Sequence, residues 1–152
     1  QTVKADTLPV DLIFNRAIQF MAAKNFTQTY GDQEEGKLIF TTSQDLNINP
    51  VYVGDDNDII DPYTAQFAII LDIKPGGYRY IVTNVVFFLP AGTYSKRENL
   101  FDIYTKATNT ESKRVAKSAQ KLISSFEKYL HTLVDDLYQG IEQKSAMYSS
   151  KF

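Results

Sequence analysis

Ile73-Lys74-Pro75-Gly76-Gly77-Tyr78-Arg79-Tyr80-Ile81-Val82 decides how this chain is to be read. Upstream of the Pro-Gly-Gly tip, Thr64 to Lys74 alternates. Phe67, Ile69, Leu71 and Ile73 share one face, and Gln66, Asp72 and Lys74 share the other. Downstream, Tyr78 to Leu89 is rich in β-branched and aromatic residues, and Pro90 closes it. A period of two on both sides of such a tip specifies a β-hairpin. The tip cannot be the common type I′ turn, because proline is held near φ −65° and that turn needs positive φ at both centres. Two solutions remain. A type II turn over Pro75-Gly76 pairs Asp72 with Arg79, Ile73 with Tyr78 and Leu71 with Tyr80. A type I turn followed by a bulge at Gly77 shifts every later partner. Turn sterics favour the bulge.

Working outward, Thr2 to Ala5 reads as a short first strand. Thr7-Leu8-Pro9 announces a helix, since proline is tolerated in the first turn. Val10, Ile13, Phe14, Ala17, Ile18 and Met21 follow at steps of three and four, with Asn15, Arg16 and Gln19 off that stripe, and the helix should end near Lys24-Asn25. Phe26 to Tyr30 and Lys37 to Thr42 read as strands joined by the polar turn Gly31 to Gly36. Ser43 to Tyr63 lacks periodicity apart from a short strand candidate at Val51 to Val53. Long irregular segments are uncommon in compact domains and are often either functional or mobile. Ala91 to Thr110 is a polar connection in which Phe101, Ile103 and Tyr104 could add an edge strand or pack as a short segment. The last element is the clearest. Val115, Ala119, Leu122, Phe126, Leu130, Leu133, Leu137 and Ile141 form one apolar stripe, which predicts a helix from about Ser112 to Gln143. Gly140 should weaken its last turn. A coiled-coil partner would suit that stripe, but a sheet face needs a cover, so the helix is read as lying on the sheet. The order strand, helix, several strands, long helix predicts an α+β two-layer sandwich. One domain should span 1–152, with its core at 2–143 and a frayed tail at 144–152.

The chain carries a net charge of −2, which argues against a nucleic-acid binder, since such proteins carry a basic field. It has no cysteine, which excludes disulfides, thiolate catalysis and Cys-ligated zinc. No run approaches the ~18–20 apolar residues of a membrane span. The chain starts at Gln1, which fits either removal of a signal peptide or an arbitrary boundary.

Three stretches carry a family likeness: Asp11-Leu12-Ile13-Phe14-Asn15-Arg16-Ala17 leading to Lys24-Asn25-Phe26; Glu35-Gly36-Lys37-Leu38-Ile39; and Phe67 to Asn84 with its Tyr78-Arg79-Tyr80 core. In their order and spacing they resemble a secreted domain-of-unknown-function family of Bacteroidota-type bacteria described as having a TBP-like fold. The resemblance implies one curved, mainly antiparallel sheet with a short helix from the N-terminal half and a long C-terminal helix packed on one face. It also implies a secreted, periplasmic or cell-envelope location, with Gln1 as a mature N-terminus. It implies no activity, and the TBP-like label describes topology, not DNA binding. Two departures stand out. The family often has Trp in the first helix, where this chain has Phe20. Its hairpin tip usually looks like Asp-Gly, where this chain has Pro75-Gly76.

Candidate chemistry is sparse. His131 is the sole histidine and lies on the polar side of the last helix, four residues from Glu127 and from Asp135, which reads as a surface charge ladder. Asp55, Asp56, Asp58 and Asp61 superficially suggest a cation loop, but the EF-hand alternation, its central Gly and its terminal Glu are missing. A solvated acidic loop is the simpler reading. Gly76-Gly77 is no phosphate loop, because no Lys-Ser/Thr helix start follows. Among 10 Tyr and 10 Phe, most belong to core and sheet. Tyr52, Tyr63, Tyr78 and Tyr80, with Arg79, are the candidates for a contact surface, because Tyr offers stiff amphipathic area. The reading that follows is a non-catalytic secreted or envelope module binding a protein, peptide or small ligand, with no cofactor. The alternatives are a cation-dependent hydrolase or transferase using the 55–61 loop, and a structural or oligomerising envelope protein.

Overall fold

The computed structural model describes residues 1–5, 8–46, 63–89, 96–109 and 112–149. Tyr52, the strand candidate at 51–53 and the acidic residues Asp55, Asp56, Asp58 and Asp61 lie outside the described residues. The elements in chain order are β1 (Thr2–Lys4), α1 (Val10–Ala23), β2 (Thr27–Asp32), β3 (Lys37–Asp45), β4 (Thr64–Lys74), β5 (Gly77–Leu89), β6 (Lys96–Asn99), α2 (Leu100–Asn109) and α3 (Lys113–Ser149). The strands form one six-stranded sheet in the order β1-β5-β4-β3-β2, with β6 also on β5. β1 pairs antiparallel with the start of β5, Thr2 opposite Arg79 and Lys4 opposite Gly77. β6 pairs antiparallel with its end, Val86 opposite Asn99 and Leu89 opposite Lys96. At 13 residues β5 is long enough to hold both short strands in succession.

β5 is two phases joined at one residue. Tyr78 is buried and Tyr80 and Val82 are half-buried, but beyond Asn84 the buried positions are Val85 and Phe87. The parity changes at Asn84, which has φ 55. An extra residue in the left-handed region shifts the count of a strand's alternation without ending the strand, and Asn is among the few side chains that adopt it readily. A second irregularity lies in the β2/β3 hairpin, where the register slips between Gln28 and Tyr30.

By density of internal packing the chain divides into two compact units. The first comprises 1–42, 68–83 and 132–152, and the second 43–67 and 84–131. In the first, Ile13, Phe14, Ala17 and Met21 of α1 are buried, as are Leu38 and Phe40 of β3, Ile69, Leu71 and Ile73 of β4, and Leu133, Leu137 and Ile141 of α3. Arg16 departs from the sequence expectation. Placed off the apolar stripe, it is nonetheless buried, and its Nη1 donates to the Ile141 carbonyl over 2.5 Å. The guanidinium thus links α1 to α3 inside the unit. Gly140 sits within α3 rather than loosening its end. A Cβ there would lie 2.8 Å from the Phe20 ring, so the missing side chain lets the two helices approach.

The second unit has an aromatic centre. Phe126 of α3 meets Phe67 of β4 edge-to-face at 5.4 Å and Phe87 of β5 at 5.3 Å, and Tyr129 meets Phe67 at 6.0 Å. Tyr63 is buried in this unit, and its carbonyl accepts from the Leu46 N–H at 2.8 Å. The polar connection expected over 91–110 contains β6 and a third helix. Asn99 caps that helix by accepting from the Asp102 N–H at 2.8 Å, and Ile103 and Ala107 form its buried side. Phe101 and Tyr104, considered above for an edge strand, are exposed on α2. Buried Glu98 of β6 is held by Lys106 of α2. α3 begins where expected, with Ser112 accepting from the Val115 N–H at 3.4 Å, and runs past the expected end at Gln143 to Ser149.

Candidate functional site

The β4/β5 tip settles the turn. Strand β4 ends at Lys74 and β5 starts at Gly77, so Pro75 and Gly76 are the two turn residues. Gly76 has φ 91, as the third position of a type II turn requires, and a type I turn would need negative φ there. The Gly77 bulge favoured on turn sterics is therefore corrected. The left-handed glycine falls inside the turn and not after it, and proline at the second position of a type II turn is already preset. Arg79 and Asp72, partners in the direct pairing, are joined by a 2.6 Å ion pair.

A hollow of about 280 Å³ opens at this tip, lined by Thr2, Asp72, Lys74, Pro75, Gly76, Gly77, Tyr78 and Arg79. All belong to the first unit. Its origin is alternation. Asp72 and Lys74 of β4, Gly77 and Arg79 of β5, and Thr2 and Lys4 of β1 share one sheet face by pleat and register. Every one of those positions carries a side chain except Gly77, and the hollow is the space over it. Gly77 is required for a second reason. It has φ 156, and a Cβ there would lie 2.1 Å from the Val3 carbonyl oxygen. β1 can close on the tip only over a glycine, and the Ala5 N–H then donates to the Gly76 carbonyl at 3.0 Å.

Tyr78 and Tyr80 point the other way. Tyr78 is 2% exposed, and its hydroxyl is buried with no hydrogen-bond partner among the described residues. Burial, with Tyr138, Tyr80 and Glu142 nearby, pushes its pKa far above the usual phenol range. Tyr80 is half-buried and donates its hydroxyl to Gln1 Oε1 at 2.7 Å. Burial first and Asp135 second raise its pKa. Of the sequence candidates, then, Tyr78 and Arg79 line the hollow, Tyr78 through its backbone. Tyr80 flanks it on the opposite face, and Tyr63 belongs to the second unit and is not a lining residue. Thr2, Asp72, Lys74 and Gly77 are lining residues that the sequence candidates omit. Asp72 was signalled by its cross-strand position opposite Arg79. Thr2 had no local signal, because its place depends on pairing with Arg79, about half the chain away. His131 is exposed on α3 and is not a lining residue. Among the described residues no cluster of His, Cys, Asp or Glu could hold a metal ion, and no helix is long and apolar enough to cross a membrane.

The buried hydroxyl gives a direct test. Removing it relieves an unmet hydrogen bond, so Tyr78→Phe should stabilise the chain by about 1 kcal/mol in urea unfolding at neutral pH. A phenol whose pKa is higher folded than unfolded adds stability that is whole below the unfolded value of about 10 and declines as pH rises beyond it. Tyr129, pushed up by burial to about 12, acts in the same sense. The chain should therefore lose stability above about pH 10, and Tyr78→Phe should lose less.

The family model described as "Domain of unknown function (DUF4468) with TBP-like fold" matches residues 1–88. Among curated proteins no relative matches the chain. A TBP-like protein from Parabacteroides distasonis is similar in structure, with a TM-score of 0.73 at 11% identity, over 93% of this chain and 90% of that one. A DUF4468 family protein from Bacteroides ovatus has a TM-score of 0.66 at 12% identity, over 91% of this chain and 83% of that one. The expected α+β, TBP-like fold is thereby shown, with three helices in place of the two read from the sequence.

Proposed function

Since the chain belongs to the family of domains of unknown function with a TBP-like fold, a description that carries no activity, we propose that it is a non-catalytic binding module, secreted or held in a bacterial cell envelope. The observation that carries the binding role is the hollow over Gly77. It is a concave site whose rim is fixed on paired strands, and pre-formed concavity with a few converging polar groups is the usual form of a ligand site. Its side chains argue against catalysis. The carboxylate of Asp72 is committed to Arg79, the Tyr78 hydroxyl is buried, and no base stands beside the Thr2 hydroxyl among the lining residues. At about 280 Å³ the space lies just below the ~300–1,000 Å³ typical of drug-sized ligands, so it suits a small molecule or the end of a larger partner. The envelope location rests on the family resemblance, and fractionation of the native cells with an antibody to the chain tests it.

A screen of small neutral and charged compounds, read by amide chemical shifts of the labelled chain, tests the binding role. Binders should perturb Thr2 and residues 72–79 together. Binding that maps only elsewhere, or turnover of ester, glycoside or phosphate substrates, would overturn the reading.

A further inference from the structure

We infer that the hollow over Gly77 selects a carboxylate. This rests on the binding role above and narrows it. The lining side chains that carry polar groups are Thr2, Asp72, Lys74 and Arg79. Asp72 is the one acceptor among them with full charge, and Arg79 Nη2 already donates to it at 2.6 Å. What remains is donor capacity: the rest of the Arg79 guanidinium, the Lys74 ammonium and the Thr2 hydroxyl. Arginine carries five N–H donors in a planar fork, so one bond to Asp72 leaves most of them. That bond also has a positioning effect. Arg79 is 57% exposed, and a free side chain so exposed would sample many rotamers, but Asp72, at 23%, anchors it across the strand pair. An anchored guanidinium loses less freedom when it meets a ligand. Its flat fork matches the two oxygens of a carboxylate.

The balance of charge points the same way. Lys74 and Arg79 against Asp72 leave the rim positive in a chain whose net charge is −2. Lys4, opposite Gly77 in register on the same face, adds a further positive charge beside it. The turn holds the arrangement rigid. Proline presets the backbone beside Lys74, and β1 clamps the other side through the Ala5 N–H and Gly76 carbonyl. A neutral ligand of equal size would leave these donors partly unmet.

Succinate, its neutral diamide succinamide and inorganic phosphate, each titrated into the labelled full chain, test the assignment. Succinate should shift the amides of Thr2, residues 72–74 and residues 76–79 saturably, about tenfold or more tightly than succinamide, and less tightly as salt is raised. The exposed double substitution Lys74→Gln with Arg79→Gln should abolish that preference while circular dichroism stays unchanged. Equal binding of succinate and succinamide would overturn the carboxylate assignment and leave the binding role standing. Phosphate binding as tight as succinate would overturn it in favour of oxyanions in general. No shift with succinate at tens of millimolar would overturn it outright. The binding role falls too only if the neutral compounds also fail at these residues.

Discussion

Replacing Phe126 with alanine should lower the stability of the chain by about 3–5 kcal/mol, on the order of 10 °C in Tm. Phe126 is 3% exposed and meets two rings, Phe67 and Phe87, each edge-to-face. Truncation removes the transfer free energy of a buried ring. It leaves a void that its rigid aromatic neighbours fill poorly, and it also forfeits two ring pairs worth about 0.5–1.5 kcal/mol each beyond area. Phe126→Leu keeps most of the volume and should cost about 1 kcal/mol. Phe101→Ala is the contrasting control. That ring is 77% exposed, and its removal should stay within about 0.5 kcal/mol. Urea unfolding of the three variants gives the ranking. A loss at Phe126→Ala no larger than at Phe101→Ala would contradict the aromatic centre described for the second unit.

Gly36→Ala should cost about 2–4 kcal/mol for reasons of backbone alone. Gly36 has φ 68, and a Cβ there would stand 2.1 Å from the Ile73 carbonyl oxygen. That neighbour is main chain and cannot swing aside. The Gly36 carbonyl also accepts from the Ile73 N–H at 2.6 Å, so moving the β2/β3 turn away breaks a hydrogen bond as well. Gly31→Ala separates strain from mere volume. Its Cβ would meet the end of the Gln28 side chain at 2.3 Å, which can rotate away, and its φ is not positive. It should cost less than about 1 kcal/mol. Thermal melts that place the two alanine variants together would sink the argument.

Legibility in the sequence tracked the range of the forces involved. β4 was readable to the residue, because the alternation of Phe67, Ile69, Leu71 and Ile73 is a local pattern. α1 was readable within a residue or two from Pro9 and the steps of its apolar stripe. α2 was missed because it is short and carries β-branched Thr105 and Thr108, which lower helix propensity. In the structure both hydroxyls bond back to the carbonyls of Phe101 and Tyr104, at 3.0 and 2.9 Å. Its signs were present in the Asn99 cap and the spacing of Leu100, Ile103 and Ala107. Arg16 was misplaced for a different reason. Nothing near it in sequence shows that a helix carbonyl more than a hundred residues later will receive its charge. The site followed the same rule. The Asp72–Arg79 pair was legible as cross-strand chemistry, whereas the hollow needs β1 beside the hairpin, which only the folded chain brings about.

Asn84 bears on how this chain tolerates changes in its length. A strand normally accepts insertions only in pairs, because one residue more or less turns every following side chain over. β5 already contains one such odd residue, and its left-handed backbone absorbs the shift. Deleting Asn84 would restore an unbroken alternation in which Val85 and Phe87 stay in step with Tyr78, Tyr80 and Val82, so of the single deletions within β5 it should disturb the pattern least. Deleting a residue between Tyr78 and Asn84 would instead invert the half that carries Tyr78. The two halves of β5 therefore keep separate count. The spacing from each half to Asn84 is as strictly fixed as the identity of any buried ring, although Asn84 itself is exposed and fills no core.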